Sequence, residues 1–283
     1  MRPTDSDEAS RERERFVTAG VDVGMRTVKV ALLAHDAAIG SPRVLTREIV
    51  SLPGRCDIGD VQIAIREGWF RSLRSAGLLP ADIALVASTG QEHALAHVGH
   101  FYRGLSLRTG VRFLFPRAIA VLDVGARQMR CARLETSGCG RGYAATPQGE
   151  SWGGDRLDAF ARSNGRSVPD RLQSSASIAA YEGVAARAAK LMQALSLDGP
   201  TAIAGATAVD LSFLDVLARR LIDDRLETVL LSAPDAVFTG AYGAALLAAR
   251  RYLRAASSRR RLGASSTFRQ PPAVLPGWRP LLN

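Results

Sequence analysis

Lysine is nearly absent from this chain. Only Lys29 and Lys190 stand among its 37 basic residues, and arginine supplies the rest. Acidic residues number 27, which leaves a net charge of +10. An excess of this size suits a nucleic acid, a membrane surface or a phosphorylated small molecule, and coding bias in a GC-rich genome produces it equally well. Cysteine is scarce too: Cys56, Cys131 and Cys139 form no Cys-x-x-Cys pair, and none follows position 139. That argues against a disulfide framework. No run is long and apolar enough to cross a bilayer, and the charged stretch from Met1 to Arg15 is no signal peptide. These absences predict a cytoplasmic protein. What is present, 47% hydrophobic and 23% charged residues over 283 positions, predicts a globular protein with one large or two medium domains.

Strand-like and helix-like stretches follow one another twice. Phe16 to Val23 reads as a buried strand, with Thr27 to Leu33 as its hairpin partner across Gly24-Met25-Arg26. Val61 to Ala76 has helical spacing, and Ile83 to Ala87 reads as a strand running into Ser88-Thr89-Gly90. Phe113 to Pro116 leads into a strand over 118–124, with Met129 to Leu134 as its hairpin partner. A short helix over 155–163, helices over 180–195 and 211–222, strands over 201–204 and 227–231, and a helix over 236–252 complete the pattern. Hairpins followed by alternating helices and strands indicate a duplicated α/β fold. The expected layout is a disordered start (1–15), two subdomains (16–116 and 117–240), a helix over 241–255 packing back on the first, and a disordered basic, Pro-rich tail (256–283).

The chemistry concentrates in two strand–turn signals, Asp22-Val23-Gly24 and Asp123-Val124-Gly125. Such a strand end places a carboxylate beside backbone that a phosphate can approach. Asp22 and Asp123 are the candidate magnesium and catalytic carboxylates, acting through water because magnesium gives up its water shell reluctantly. Gly24 and Gly125 allow close approach, Thr27 offers a hydroxyl, and Lys29 a cation. Gln128 either orients a water on the γ-phosphate or is a solvated strand residue. Gly205 ends a strand in a small-residue turn that suits an adenine ring and equally an ordinary strand–helix turn. A surface hairpin with a tight glycine turn would explain either Asp-x-Gly copy alone; the pair is more specific. His93, His97 and His100 have the i, i+4, i+7 spacing of one helical face, a candidate metal site that Gly99 weakens.

In order along the chain, the Asp22 hairpin, Ser88-Thr89-Gly90, Gly99-His100-Phe101-Tyr102 and Ala120-Val121-Leu122-Asp123-Val124-Gly125 resemble a known family. Pro234-Asp235-Ala236 and Gly240-Ala241-Tyr242-Gly243-Ala244-Ala245 extend the likeness. It is similar to the BadF/BadG/BcrA/BcrD-type ATPases, which comprise the ATPase subunits of class I benzoyl-CoA reductase and the activators of 2-hydroxyacyl-CoA dehydratases. The small ATPase subunits of the reductase resemble it most, from about Val17 to Arg250. The resemblance implies actin-like, ribonuclease H-like duplicated domains around a nucleotide cleft. It implies ATP and Mg²⁺ as cofactors, and ATP-driven, low-potential electron transfer to an aromatic acyl-CoA in anaerobic metabolism. The implied partners are a homologous ATPase subunit, acyl-CoA reductase subunits and, indirectly, ferredoxin, with no membrane or nucleic acid.

The family bridges two ATPase subunits with a [4Fe–4S] cluster held by two cysteines from each. Here Gly149 stands where the first cysteine belongs, and the second has no counterpart. The resemblance therefore implies a subunit without its own cluster ligands. Other departures are Met25 and Arg26 in place of hydroxyl residues, Ala126 for a glycine, and Gly205-Ala206 for Gly-Gly. Gly153 and Gly154, ahead of Asp155, are the implied phosphate or adenosine contacts. Two further readings stay open: a non-catalytic paralogue that pairs with an active subunit, and a small-molecule kinase of the same superfold. The lack of a clear catalytic-base Asp counts against the kinase.

Overall fold

The computed structural model of the protein describes residues 15–36, 40–53, 56–90, 99–134, 142–147 and 175–261. These fall into two compact units. The first runs to Gly110 and resumes at Gly240; the second is Val111–Thr239.

The first unit is built on β1 (Arg15–Val23), an apolar strand buried along most of its length. On one side it pairs antiparallel with β2 (Thr27–Asp36), which pairs antiparallel with β3 (Arg43–Ser51). On the other side it pairs parallel with β4 (Ile83–Gly90), which pairs parallel with the short β5 (Gly99–His100). Helix α1 (Ile58–Ala76) buries Val61, Ala64, Ile65, Trp69 and Leu73, the three-to-four spacing of one helical face. They pack on Ala19, Val21 and Val23 of β1 and on Val28, Val30 and Leu32 of β2. Each large aliphatic side chain buried there contributes about 1.5–3 kcal/mol. A capping box starts the helix: Asp57 Oδ1 accepts from the Asp60 amide at 2.9 Å, and Asp60 Oδ2 accepts from the Asp57 amide at 3.1 Å. The opposite face of β1 carries Thr18, Gly20 and Asp22. Against it lies α5 (Thr239–Arg261), so close that a Cβ at Gly20 would sit 1.9 Å from the Ala241 carbonyl oxygen. Thr18 Oγ1 donates to the Ala245 carbonyl at 2.9 Å.

The second unit repeats the plan. Its central strand is β6 (Ala120–Val124), antiparallel to β7 (Met129–Arg133), which is antiparallel to β8 (Tyr143–Ala145). On the other side β6 runs parallel to β9 (Gly199–Ala204), and β9 parallel to β10 (Thr228–Leu231). Outward from the central strand, both sheets therefore have a two-strand antiparallel flank and a two-strand parallel flank. Helices α3 (Ser175–Ala194) and α4 (Leu211–Asp223) cover this sheet. Tyr181, Val184, Ala188 and Met192 of α3 meet Phe213, Leu217 and Leu221 of α4 in one buried cluster. Asp210 caps α4 through the Phe213 amide (3.1 Å) and accepts the Tyr181 hydroxyl (2.9 Å).

Several elements differ from the sequence reading. Strand β3 has no signal in the sequence, because as an edge strand it buries only Thr46 and Val50 and has no apolar run. Helix α2 (Arg103–Leu114) shows in the sequence only as a lead-in from Phe113. Gly104 and Gly110 each lower its propensity by about 1 kcal/mol, and burial of Leu107 and Val111 overrides that. The last helix begins at Thr239, after a 3₁₀ turn over Pro234–Phe238, and continues to Arg261, so 256–261 is helical rather than disordered. His100 lies in strand β5, not on a helical face shared with His93 and His97, which fall outside the described residues. Among the described residues no helix is long and apolar enough to cross a membrane.

Candidate functional site

Both units carry the same backbone device at the end of the central strand. In the first, the Gly24 amide donates to the Thr27 carbonyl at 2.9 Å and closes the hairpin. In the second, the Gly125 amide donates to the Gln128 carbonyl at 3.1 Å. The antiparallel register then sets Asp22 opposite Lys29 and Asp123 opposite Arg130. Cross-strand partners on one sheet face lie near enough for their charges to interact. Each parallel neighbour adds a glycine in the left-handed region, Gly90 (φ 100°) at the end of β4 and Gly205 (φ 90°) just after β9. A Cβ at Gly90 would lie 2.1 Å from the Val23 carbonyl oxygen, and one at Gly205 2.5 Å from that of Val124.

In the first unit the Asp22 carboxylate is almost fully buried. Lys29 Nζ lies 3.7 Å from Oδ2, and an Arg103 guanidinium nitrogen lies 4.0 Å from Oδ1. Oδ1 is buried without a hydrogen-bond partner. Most buried carboxylate oxygens are hydrogen-bonded, so this oxygen is a candidate ligand position. Gly240 keeps the other oxygen clear, since a Cβ there would come within 2.6 Å of Oδ2. A lone hard oxygen of this kind fits a magnesium aquo ion, which takes one or two carboxylates and otherwise water and phosphate. The Thr27 hydroxyl borders Gly24, 3.8 Å from where that residue's Cβ would stand.

In the second unit Asp123 is buried, and Arg130 donates to its Oδ2 at 3.3 Å. Arg130 also donates to Oε1 of Gln128. The other end of the Gln128 amide donates to the Thr146 carbonyl at 2.9 Å. Gln128 is thus a partly buried bridge between β7 and the segment after β8. A Cβ at Gly205 would lie 2.9 Å from Asp123 Oδ1, so glycine leaves room for that oxygen.

Of the residues expected to form the site, Asp22, Gly24, Thr27 and Lys29 come together in the first unit. Asp123, Gly125, Gln128 and Gly205 come together in the second. Gly149, Gly153, Gly154 and Cys139 lie outside the described residues. Arg103, Arg130, Gly90 and Gly240 join the site although the sequence reading does not assign them to it. Arg130 has a legible signal, because its spacing from Asp123 equals that of Lys29 from Asp22. Arg103 has none, and Gly240 stands in a stretch that carries the family likeness without a site role assigned to it. Among the described residues no group of three or more metal-binding side chains occurs. Cys131 is buried in β7, where burial pushes its thiol up to about 12.

No family model matches the chain. A benzoyl-CoA reductase subunit of Thauera aromatica is 28% identical to it over 271 residues, covering 83% of this chain and 94% of that protein. Component A of the Acidaminococcus fermentans (R)-2-hydroxyglutaryl-CoA dehydratase matches with a TM-score of 0.69 and 19% identity, over 84% of this chain and 99% of the other. The activator of the 2-hydroxyisocaproyl-CoA dehydratase from Clostridium difficile, solved with bound ADPNP, gives 0.70 and 18%, over 86% and 98%. These likenesses bear out the resemblance to the BadF/BadG/BcrA/BcrD-type ATPases. Its two sheets are those of the actin-like ATPase fold.

Proposed function

We propose that this chain is an ATPase-type subunit of a benzoyl-CoA reductase-like complex. In this reading it couples binding and hydrolysis of Mg-ATP to low-potential electron transfer, and partner subunits reduce an aromatic acyl-CoA. The observation that carries the reading is the hairpin repeated in both units: a buried carboxylate, a glycine turn, and a cation seven residues after the carboxylate. Asp22 and Asp123 serve the magnesium, through water. Gly24, Thr27, Lys29 and Gly125 serve the phosphates, with Gly153 and Gly154 as further contacts, and Gly205 serves the adenine. The similarity to the Thauera protein supports a hetero-oligomer with a homologous ATPase subunit and reductase subunits, fed indirectly by ferredoxin. Gly149 and the absence of cysteine after position 139 support a subunit without its own cluster ligands. The electron path then belongs to the partners, and a cytoplasmic site of action follows.

The test is nucleotide binding. Millimolar Mg-ATP raises the melting temperature of the purified chain by mass action, and Asp22→Ala abolishes the rise. A wild-type protein indifferent to millimolar Mg-ATP ends the nucleotide reading. Reconstitution of the chain alone to a stable [4Fe–4S] species would refute the assignment of the electron path. A second reading, a non-catalytic subunit that binds nucleotide, is favoured by one observation: both ends of the Gln128 amide are engaged by protein groups. Phosphate release by the assembled complex separates the two, because Asp123→Asn halts it only if this chain turns over.

A further inference from the structure

We infer that Arg130 is the residue that reads the terminal phosphate of the bound nucleotide. The inference rests on the nucleotide reading above and assigns that site a recognition element.

The argument starts from a difference between the two cross-strand cations. Lys29 and its carboxylate Asp22 are both about 6% exposed, so that ammonium is buried beside its carboxylate. Arg130 sits at the equivalent register position, yet its side chain is 21% exposed while its partner Asp123 is 2% exposed. Guanidinium offers five N–H donors in a planar fork. One terminal nitrogen serves Asp123 and the other serves Gln128. Among the described residues this guanidinium has no further partner, so donors remain on a part-exposed cation beside the Gly125 turn.

The two partners also hold the fork still. Gln128 is itself tied to the Thr146 carbonyl, and Thr146 Oγ1 accepts the Met129 amide at 3.0 Å. Arg130 is therefore an oriented donor with spare capacity rather than a mobile surface charge. An oxyanion with several acceptor oxygens matches that fork, and a phosphate is the anion that accompanies a magnesium carboxylate site. Gln128 then acts as a positioning residue through Arg130, by accepting its hydrogen bond and fixing its plane. Nucleoside triphosphate and diphosphate differ by one such phosphate, so the contact appears as discrimination between them.

The experiment measures dissociation constants for Mg-ADP and for a magnesium complex of the β,γ-imido ATP analogue by calorimetry. The proteins are the wild type, Arg130→Lys, Arg130→Gln and Gln128→Ala. The wild type prefers the triphosphate by about tenfold or more, the size of one charge-assisted phosphate contact. Arg130→Gln brings that ratio near one and leaves diphosphate affinity within about threefold. Arg130→Lys, which keeps the charge beside Asp123, restores part of the ratio. Gln128→Ala weakens it less than Arg130→Gln does. The ratio is insensitive to a general loss of stability, and the lysine variant keeps the buried carboxylate partnered if the glutamine variant folds poorly. A wild type that binds both nucleotides equally overturns the assignment and leaves the nucleotide reading standing. So does an Arg130→Lys or Arg130→Gln protein with the wild-type ratio. A wild type that binds neither overturns both.

Discussion

The hairpin of the first unit and the hairpin of the second share one backbone and differ in what surrounds the carboxylate. Asp22 has two cations near it, Lys29 and Arg103, and keeps a buried oxygen without a hydrogen bond. Asp123 is held by a planar guanidinium that is itself held by Gln128. The first arrangement leaves one buried carboxylate oxygen without a hydrogen bond beside two cations. The second neutralises its carboxylate through a fixed fork. A shared turn hydrogen bond and register therefore do not imply identical chemistry: the strand ends present a carboxylate twice, and neighbouring elements decide what surrounds each.

The largest effect that breaks the symmetry comes from the paired glycines. Gly90→Ala and Gly205→Ala each force a Cβ into the left-handed region and against a carbonyl oxygen. Strain of about 1–2 kcal/mol adds to a clash of about 1–3 kcal/mol, so each loses about 2–5 kcal/mol in urea denaturation. Gly90→Ala is the worse, because its approach is 2.1 Å against 2.5 Å. Equal losses would mean that the clash relaxes and only the dihedral strain counts.

The cations come next. Arg130→Met removes the part-exposed guanidinium that donates to the buried Asp123 carboxylate and costs about 1–3 kcal/mol. Lys29→Met costs less, because Arg103 remains 4.0 Å from Asp22 and partly replaces the lost charge. Chemical denaturation of the two variants with Arg103→Met added checks this. The third substitution raises the cost of Lys29→Met and leaves that of Arg130→Met unchanged.

The smallest effect concerns acid. In the first unit burial lowers the His35 pKa from 6.5 to about 4. Its ring stacks on Phe16 at 4.8 Å, and Nε2 lies 2.8 Å from Thr18 Oγ1. The folded state therefore favours neutral imidazole. That contribution is fully present above pH 6.5 and is lost as the pH falls toward about 4, where the unfolded chain binds the proton first. In the second unit the shifted group is the Cys131 thiol, which stays neutral throughout that range. His35→Gln should flatten the fall in urea midpoint between pH 6.5 and 4. A fall unchanged in this variant would place the acid sensitivity elsewhere.

Much of this is legible in the sequence. The apolar runs that end at Asp22 and Asp123 are strands because both faces of a central strand are buried, and such runs stand out. The spacing of Val61, Ile65, Trp69 and Leu73 announces a helix with one buried face. Strand β3 is illegible because an edge strand needs little apolar content. Helix α2 is obscured because Gly104 and Gly110 oppose it locally and packing overrides them. The His100 spacing misleads, since a period seen over eight residues does not show that the chain is helical there.

The chain by itself determined the local devices: a carboxylate at a strand end, a glycine turn, a cation seven positions on, and two copies of each. Those follow from steric limits and from the two-residue strand period, which act over a few residues. Only the tertiary structure decided that Arg103 lies near Asp22, that Gly240 returns on α5 to leave its oxygen clear, and that Gly205 makes room for Asp123. Burial of the two cores sets the register that creates those contacts, and residues joined only by packing carry no periodic mark of their meeting.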